Sequence, residues 1–131
     1  MIYGIGVDIV RINRVKRIIQ RWGDRFVSRV FTAAEAEICY NRPNLNSAFA
    51  LRFAAKEAFS KAIGLGMRKG IKWREIEVFN YSSGKPALRL YGVSLKICRQ
   101  ANITDIHLSL SDEGEYCMAM VVLEKGTDQV V

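Results

Sequence analysis

The sequence predicts an α+β domain, a largely antiparallel sheet around one long central helix in the order β-α-α-α-β-β-α-β-β. Three observations carry this. The chain opens on a run of β-branched residues and glycine; residues 47–63 keep an apolar stripe at helical spacing; and two pairs of strand-like runs each enclose turn residues suited to a hairpin.

Each element has its own signal. Ile2 to Val10 reads as a buried strand with Asp8 near its end. From Ile12 the period changes: Ile12, Val15, Ile19 and Trp22 recur at helical spacing, with Arg14, Arg17 and Arg21 on a neighbouring face. Thr32 followed by Glu35 is a capping-box signature, so a short helix should begin there and end before Asn41-Arg42-Pro43-Asn44. The long helix draws its stripe from Ala48, Leu51, Ala55, Ala58, Phe59 and Ala62, and Gly64-Leu65-Gly66 stops it. Runs 76–81 and 87–91 flank Ser82-Ser83-Gly84-Lys85-Pro86 as one hairpin, 93–101 is helical, and runs 103–111 and 116–123 bracket Asp112-Glu113-Gly114 as a second hairpin.

Size and composition bound the function. A length of 131 residues fits one domain, expected over 1–126, with 127–131 a polar tail expected to fray. Half the residues are hydrophobic and a quarter charged, the balance of a globular protein and not of a disordered one. No apolar run is long enough for a bilayer and the N-terminus lacks the pattern of a signal peptide, so a cytoplasmic protein without membrane contact is expected. Cys39, Cys98 and Cys117 are odd in number and widely spaced, and read as reduced, mostly buried thiols. The net charge of +7 asks for an anionic partner, and most of it is local: Arg11, Arg14, Lys16, Arg17, Arg21, Arg25 and Arg29 face only Asp24 between residues 11 and 30. A nucleic-acid binder would spread its charge and carry a recognisable binding motif, which this chain lacks; nucleic acid is not the expected partner.

Two places could carry chemistry. Asp8 ends an apolar strand, where a carboxylate needs a cation or hydrogen-bond partners; a helix cap or a bridge to Arg11 or Arg14 would serve as well as a metal. On the long helix Glu57 and Lys61 stand four apart, as do Arg52 and Lys56 on an adjacent face. By composition alone the spacing favours one exposed Glu57–Lys61 ion pair worth a few tenths of a kcal/mol. The functional reading, which needs more than this spacing, is a Mg²⁺ site in which Asp8 and Glu57 supply two oxygens, water and phosphate complete the shell, and Lys61 contacts the phosphate.

The start Gly4-Ile5-Gly6-Val7-Asp8, the helix segment Phe53-Ala54-Ala55-Lys56-Glu57-Ala58-Phe59-Ser60-Lys61, and their separation of about fifty residues closely resemble holo-[acyl carrier protein] synthases, the small bacterial class of 4'-phosphopantetheinyl transferases. Residues 23–32, the Gly84-Lys85-Pro86 hairpin and Ile106 to Asp112 extend the likeness over nearly the whole chain. The resemblance implies the 4'-phosphopantetheinyl transferase-like fold, and transfer of phosphopantetheine from coenzyme A to a serine of apo-acyl carrier protein, in support of fatty acid biosynthesis. By resemblance, Asp8 and Glu57 hold Mg²⁺, Lys61 lies against the pyrophosphate, and His107 and Arg52 reach the cofactor's 3'-phosphate, with Gly64 beside the ligand. The catalytic set is Glu57, Lys61 and Asp8, with the general base open between Glu57, Asp8 and a metal-activated water. Arg14, Arg17, Arg21 and Arg25 would dock the acidic carrier protein, and family members commonly form homotrimers with sites between subunits.

Overall fold

The computed structural model describes residues 1–127; of the tail expected to fray, residues 128–131 lie outside the described part. Strand β1 (Ile2–Arg11) is followed by helices α1 (Ile12–Trp22), α2 (Asp24–Val30), α3 (Ala33–Tyr40) and α4 (Leu45–Ile63). A 3-10 turn (Trp73–Glu75) then leads into β2 (Ile76–Asn80), β3 (Pro86–Leu90), α5 (Gly92–Gln100), β4 (Ile103–Glu113) and β5 (Tyr116–Lys125). All strand pairs are antiparallel: β1-β5-β4 form one sheet, and β2-β3 a separate hairpin. The α+β class and both hairpins are as expected, and no helix among the described residues is long and apolar enough to cross a membrane.

One helix more than expected precedes β2. Gly23, at φ 51° and ψ −127°, donates its N–H to Ile19 and accepts from Phe26 and Val27, so it ends α1 and starts α2 within one residue. The seven residues of α2 are too few to show a period of their own inside the basic segment. The predicted stripe of α1 also needs correction at its end. Val15 is buried and Ile12 and Ile19 pack against the core, but Trp22 is 46% exposed, its ring covered by the Arg21 guanidinium at 5.1 Å. The capping box forms as read, Thr32 and Glu35 each accepting from the other's backbone N–H.

Helix α4 is the central element. It lies against the β1-β5-β4 sheet on one face and the β2-β3 hairpin on another, so residues all round it are buried, including Arg52, Lys56 and Ser60. Its contact with β1 is backbone to backbone. A β-carbon on Gly4 would fall 2.0 Å from the Ala62 carbonyl oxygen, and one on Gly6 1.9 Å from that of Ala58. Glycines on the strand and alanines on the helix are therefore one device, which lets α4 sit on β1 without side chains between them. The rest of the core gathers about Phe31, Phe49 and Phe59, with the three cysteine thiols free and buried as expected.

Among the described residues nothing covers the opposite face of the sheet. By the alternation of a pleated strand, Gly4, Gly6, Asp8 and Val10 face α4, while Ile5, Val7 and Ile9 face outward and are exposed. Tyr116, Met118 and Met120 of β5 extend the same open face.

Candidate active site

Asp8 stands on the α4 side of β1 two residues beyond Gly6, so the close packing that needs the glycine also delivers the carboxylate to the helix. The Lys61 ammonium donates to Asp8 Oδ1 at 3.0 Å and to the Val7 carbonyl oxygen at 3.0 Å. Asp8 is mostly covered and Lys61 half exposed, which places the ammonium on the solvent side of the carboxylate. Lys61 thus bridges helix to strand, and the exposed Glu57–Lys61 pair open to the sequence reading is not the bond that forms.

Glu57 lies one helical turn before Lys61 and is half buried. Burial raises its pKa above the ordinary carboxylate value and the Asp8 charge raises it further, while Lys61 and Arg14 act in the opposite direction. Four groups therefore share one electrostatic environment: Asp8 at the end of β1, Glu57 and Lys61 on α4, and Arg14 on α1. Two carboxylates that repel each other beside two cations can hold a hard divalent ion that keeps water and takes further oxygens from a phosphate. Among the described residues no group of three or more His, Cys, Asp or Glu is arranged around a common point, so the donor set suits that sparing mode and not an all-protein cage.

The neighbouring residues of the motif face elsewhere. The fully buried Lys56 ammonium donates to Glu35 Oε1 at 2.7 Å, the Trp73 carbonyl at 3.0 Å and the Ile76 carbonyl at 2.6 Å, which satisfies all three of its protons. Glu35 in turn accepts from the backbone N–H of Thr32 and Val78. This knot ties α3, α4 and β2 together, and it turns Lys56 into the fold, away from the helix face that the spacing had it share with Arg52. Sequence gave Glu35 as a cap only; its second role shows in no local pattern, because its partners come from positions 56 and 78. Arg52, 4% exposed, donates to the Ala48 carbonyl at 3.2 Å and weakly to Asn80 Oδ1 at 3.5 Å, and its Nε has no partner.

Gly64 caps α4 in the left-handed conformation at φ 84°, with open space where a side chain would stand, so its backbone is accessible. His107 is not brought to Asp8. It pairs with Val122 across the ladder and lies, exposed, on the open face of the sheet, bonded to Glu124. Ser109 and Ser111 share its face, whereas Asp112 turns to the α4 side and accepts from Ser47 at 3.0 Å. Arg14, Arg17, Arg21 and Arg25, the residues expected to dock a carrier, are all exposed. Arg14 and Arg17 line an open cleft of about 840 Å³ with Ile9, Arg11 and Tyr116, and Arg25 lines a groove of about 530 Å³ with Ile18, Trp22 and Phe26.

Comparison with known proteins identifies the family. Residues 4–121 match the model of the 4'-phosphopantetheinyl transferase superfamily. A holo-[acyl-carrier-protein] synthase of Geobacter metallireducens is 46% identical over 125 residues, covering 95% of this chain and 99% of the relative. The crystal structure of holo-[acyl-carrier-protein] synthase from Neisseria meningitidis superposes with a TM-score of 0.88 at 40% identity, covering 95% of this chain and all of that one. The enzyme from Bacillus anthracis, solved in complex with CoA (3',5'-ADP), does so with 0.79 at 36% identity, covering 96% and 99%. The chain belongs to the 4'-phosphopantetheinyl transferase superfamily, within the group of holo-[acyl-carrier-protein] synthases.

Proposed function

We propose that this enzyme transfers the 4'-phosphopantetheine arm of coenzyme A to a serine of apo-acyl carrier protein, releasing 3',5'-ADP, with Mg²⁺ held by Asp8 and Glu57. The observation that carries the reading is the convergence of Asp8, Glu57 and Lys61 where α4 meets the end of β1. The Bacillus anthracis relative was solved with CoA (3',5'-ADP) and the Helicobacter pylori relative, 28% identical, in complex with coenzyme A, which supports the same substrate here.

When bound, the metal supplies charge neutralisation at the pyrophosphate. The chain's own residues do the rest. Lys61, on a flexible stem and half exposed, can turn from Asp8 to a phosphate oxygen and stabilise the charge that develops on the departing 3',5'-ADP. The proton acceptor for the serine hydroxyl belongs to the same cluster: Glu57, Asp8 or a metal-activated water. The serine oxygen forms its bond to phosphorus as the bond to 3',5'-ADP breaks, and the serine proton passes to that base. Gly64 offers open backbone beside Lys61, while Arg52, already held inside the fold, supports a phosphate contact least. The exposed arginines Arg14, Arg17, Arg21 and Arg25 offer an acidic carrier a basic face next to the site.

His107 enters this reading only through self-association. The open sheet face exposes Ile5, Val7, Ile9, Met118 and Met120 as a continuous apolar surface, which favours burial against further copies in a homotrimer. His107 lies on that face and would then serve the site of an adjacent copy. The three reduced thiols suit a cytoplasmic setting, and the carrier is expected to be that of fatty acid biosynthesis. Incubation with coenzyme A, Mg²⁺ and an apo carrier tests the reaction. The carrier should gain the mass of phosphopantetheine while an equal amount of 3',5'-ADP appears; an unchanged carrier mass would refute it.

A further inference from the structure

The Lys61 ammonium contacts one of the two carboxylates assigned to the metal. It lies 3.0 Å from Asp8 Oδ1 on the exposed side, and its other acceptor, the Val7 carbonyl, is uncharged. Asp8 and Glu57 repel each other, and of the two cations that offset this at Glu57, Lys61 bonds to Asp8 while Arg14 does not. A divalent ion arriving at Asp8 meets an ammonium within contact distance, where like charges repel strongly. A pyrophosphate arriving first gives that ammonium a more anionic partner within reach of its four-carbon stem.

We propose that Lys61 stands in for the metal in the free protein. It neutralises Asp8, opposes binding of a divalent ion alone, and transfers to the pyrophosphate when coenzyme A binds. Metal and coenzyme A therefore load as a mutually reinforcing pair, each raising the affinity of the other by the same factor. The inference rests on the metal-site reading above and assigns that site its order of filling. It also makes the pairing of Lys61 with Asp8 a feature of the unliganded enzyme, to be exchanged during each cycle.

Mn²⁺ serves as the probe, its free-ion electron paramagnetic resonance signal being titrated with the whole chain, with and without coenzyme A. Leaving out the carrier prevents turnover. Without coenzyme A, Lys61→Met should bind Mn²⁺ about tenfold more tightly than the unaltered protein. Arg14→Met removes the same charge but no bond to Asp8, and should tighten binding much less. The gain in Mn²⁺ affinity that coenzyme A produces should shrink in Lys61→Met. Equal tightening in both variants, or none in Lys61→Met, would overturn the stand-in role while leaving the metal site intact. Failure of the unaltered protein to bind Mn²⁺ even with coenzyme A would remove the metal reading and this inference together. Circular dichroism of each variant confirms that the fold is kept.

Discussion

Gly6 and Ala58 touch through their backbones, with so little room that a β-carbon at residue 6 would fall 1.9 Å from the Ala58 carbonyl oxygen. This contact fixes the distance between β1 and α4, and with it the placement of Asp8 against Glu57 and Lys61. Gly6→Ala should force the helix off the strand, at a cost of about 1–3 kcal/mol by the ordinary penalty of overpacking. Urea denaturation reads that loss, and transferase activity should fall further than stability does, because the two halves of the site separate.

The Lys56–Glu35 pair is a structural knot next to the chemistry. Both side chains are fully buried, so Lys56→Met leaves the Glu35 carboxylate without its cation and should destabilise the fold by about 3–5 kcal/mol. Thermal or urea unfolding checks this. The double variant Lys56→Met, Glu35→Gln should recover part of the loss, since no bare charge then remains buried.

Glu57 contributes with the opposite sign. Its pKa is raised in the folded protein by burial first and then by Asp8, so it destabilises the metal-free fold at neutral pH. Below the unfolded-state carboxylate pKa the effect vanishes; it grows as pH rises and levels off above the folded pKa. In chelator, Glu57→Gln should therefore match the unaltered protein in melting temperature at low pH and exceed it slightly near pH 7.

The basic face of α1 should govern carrier affinity more than chemistry. Charge reversals at Arg14, Arg17, Arg21 or Arg25 should each raise the KM for the carrier roughly threefold to tenfold, and the combined loss should weaken as salt is added. Arg14 should also lower kcat, because it alone of the four acts on Glu57. Steady-state kinetics at two ionic strengths separate these outcomes.

A charge placed on the open sheet face tests the assembly. Ile9→Glu or Met118→Lys alters an exposed side chain and should leave the single chain folded, yet reduce the proposed homotrimer to a monomer by light scattering. Activity should be lost with assembly, because His107 lies on that face and not beside the chain's own Asp8.

Much of this was legible in the sequence where the determinants are local. The capping box at Thr32, the turns at Gly84 and Gly114, the stop at Gly64 and the helical stripe of α4 each lie within a few residues, and each formed where the pattern placed it. The metal-ligand candidates Asp8 and Glu57 were found only by joining two distant motifs, and α4 does bring them together. What stayed hidden depends on contacts between distant segments. Lys56 looks like a surface lysine until Glu35, Trp73 and Ile76 close around it, and Lys61 looks paired with Glu57 until β1 offers Asp8. The break at Gly23 left too short a helix to show a period. The face on which His107 lies follows from strand alternation and from the side that α4 covers, and the second is a tertiary fact.

The most direct measurement is the intact mass of an apo-acyl carrier protein after incubation with coenzyme A, Mg²⁺ and either the unaltered enzyme or its Asp8→Ala and Glu57→Ala variants, each with and without chelator. The carrier should gain the mass of phosphopantetheine only with the unaltered enzyme and free metal. Full transfer by folded variants lacking either carboxylate, or full transfer in chelator, would contradict the site assigned here.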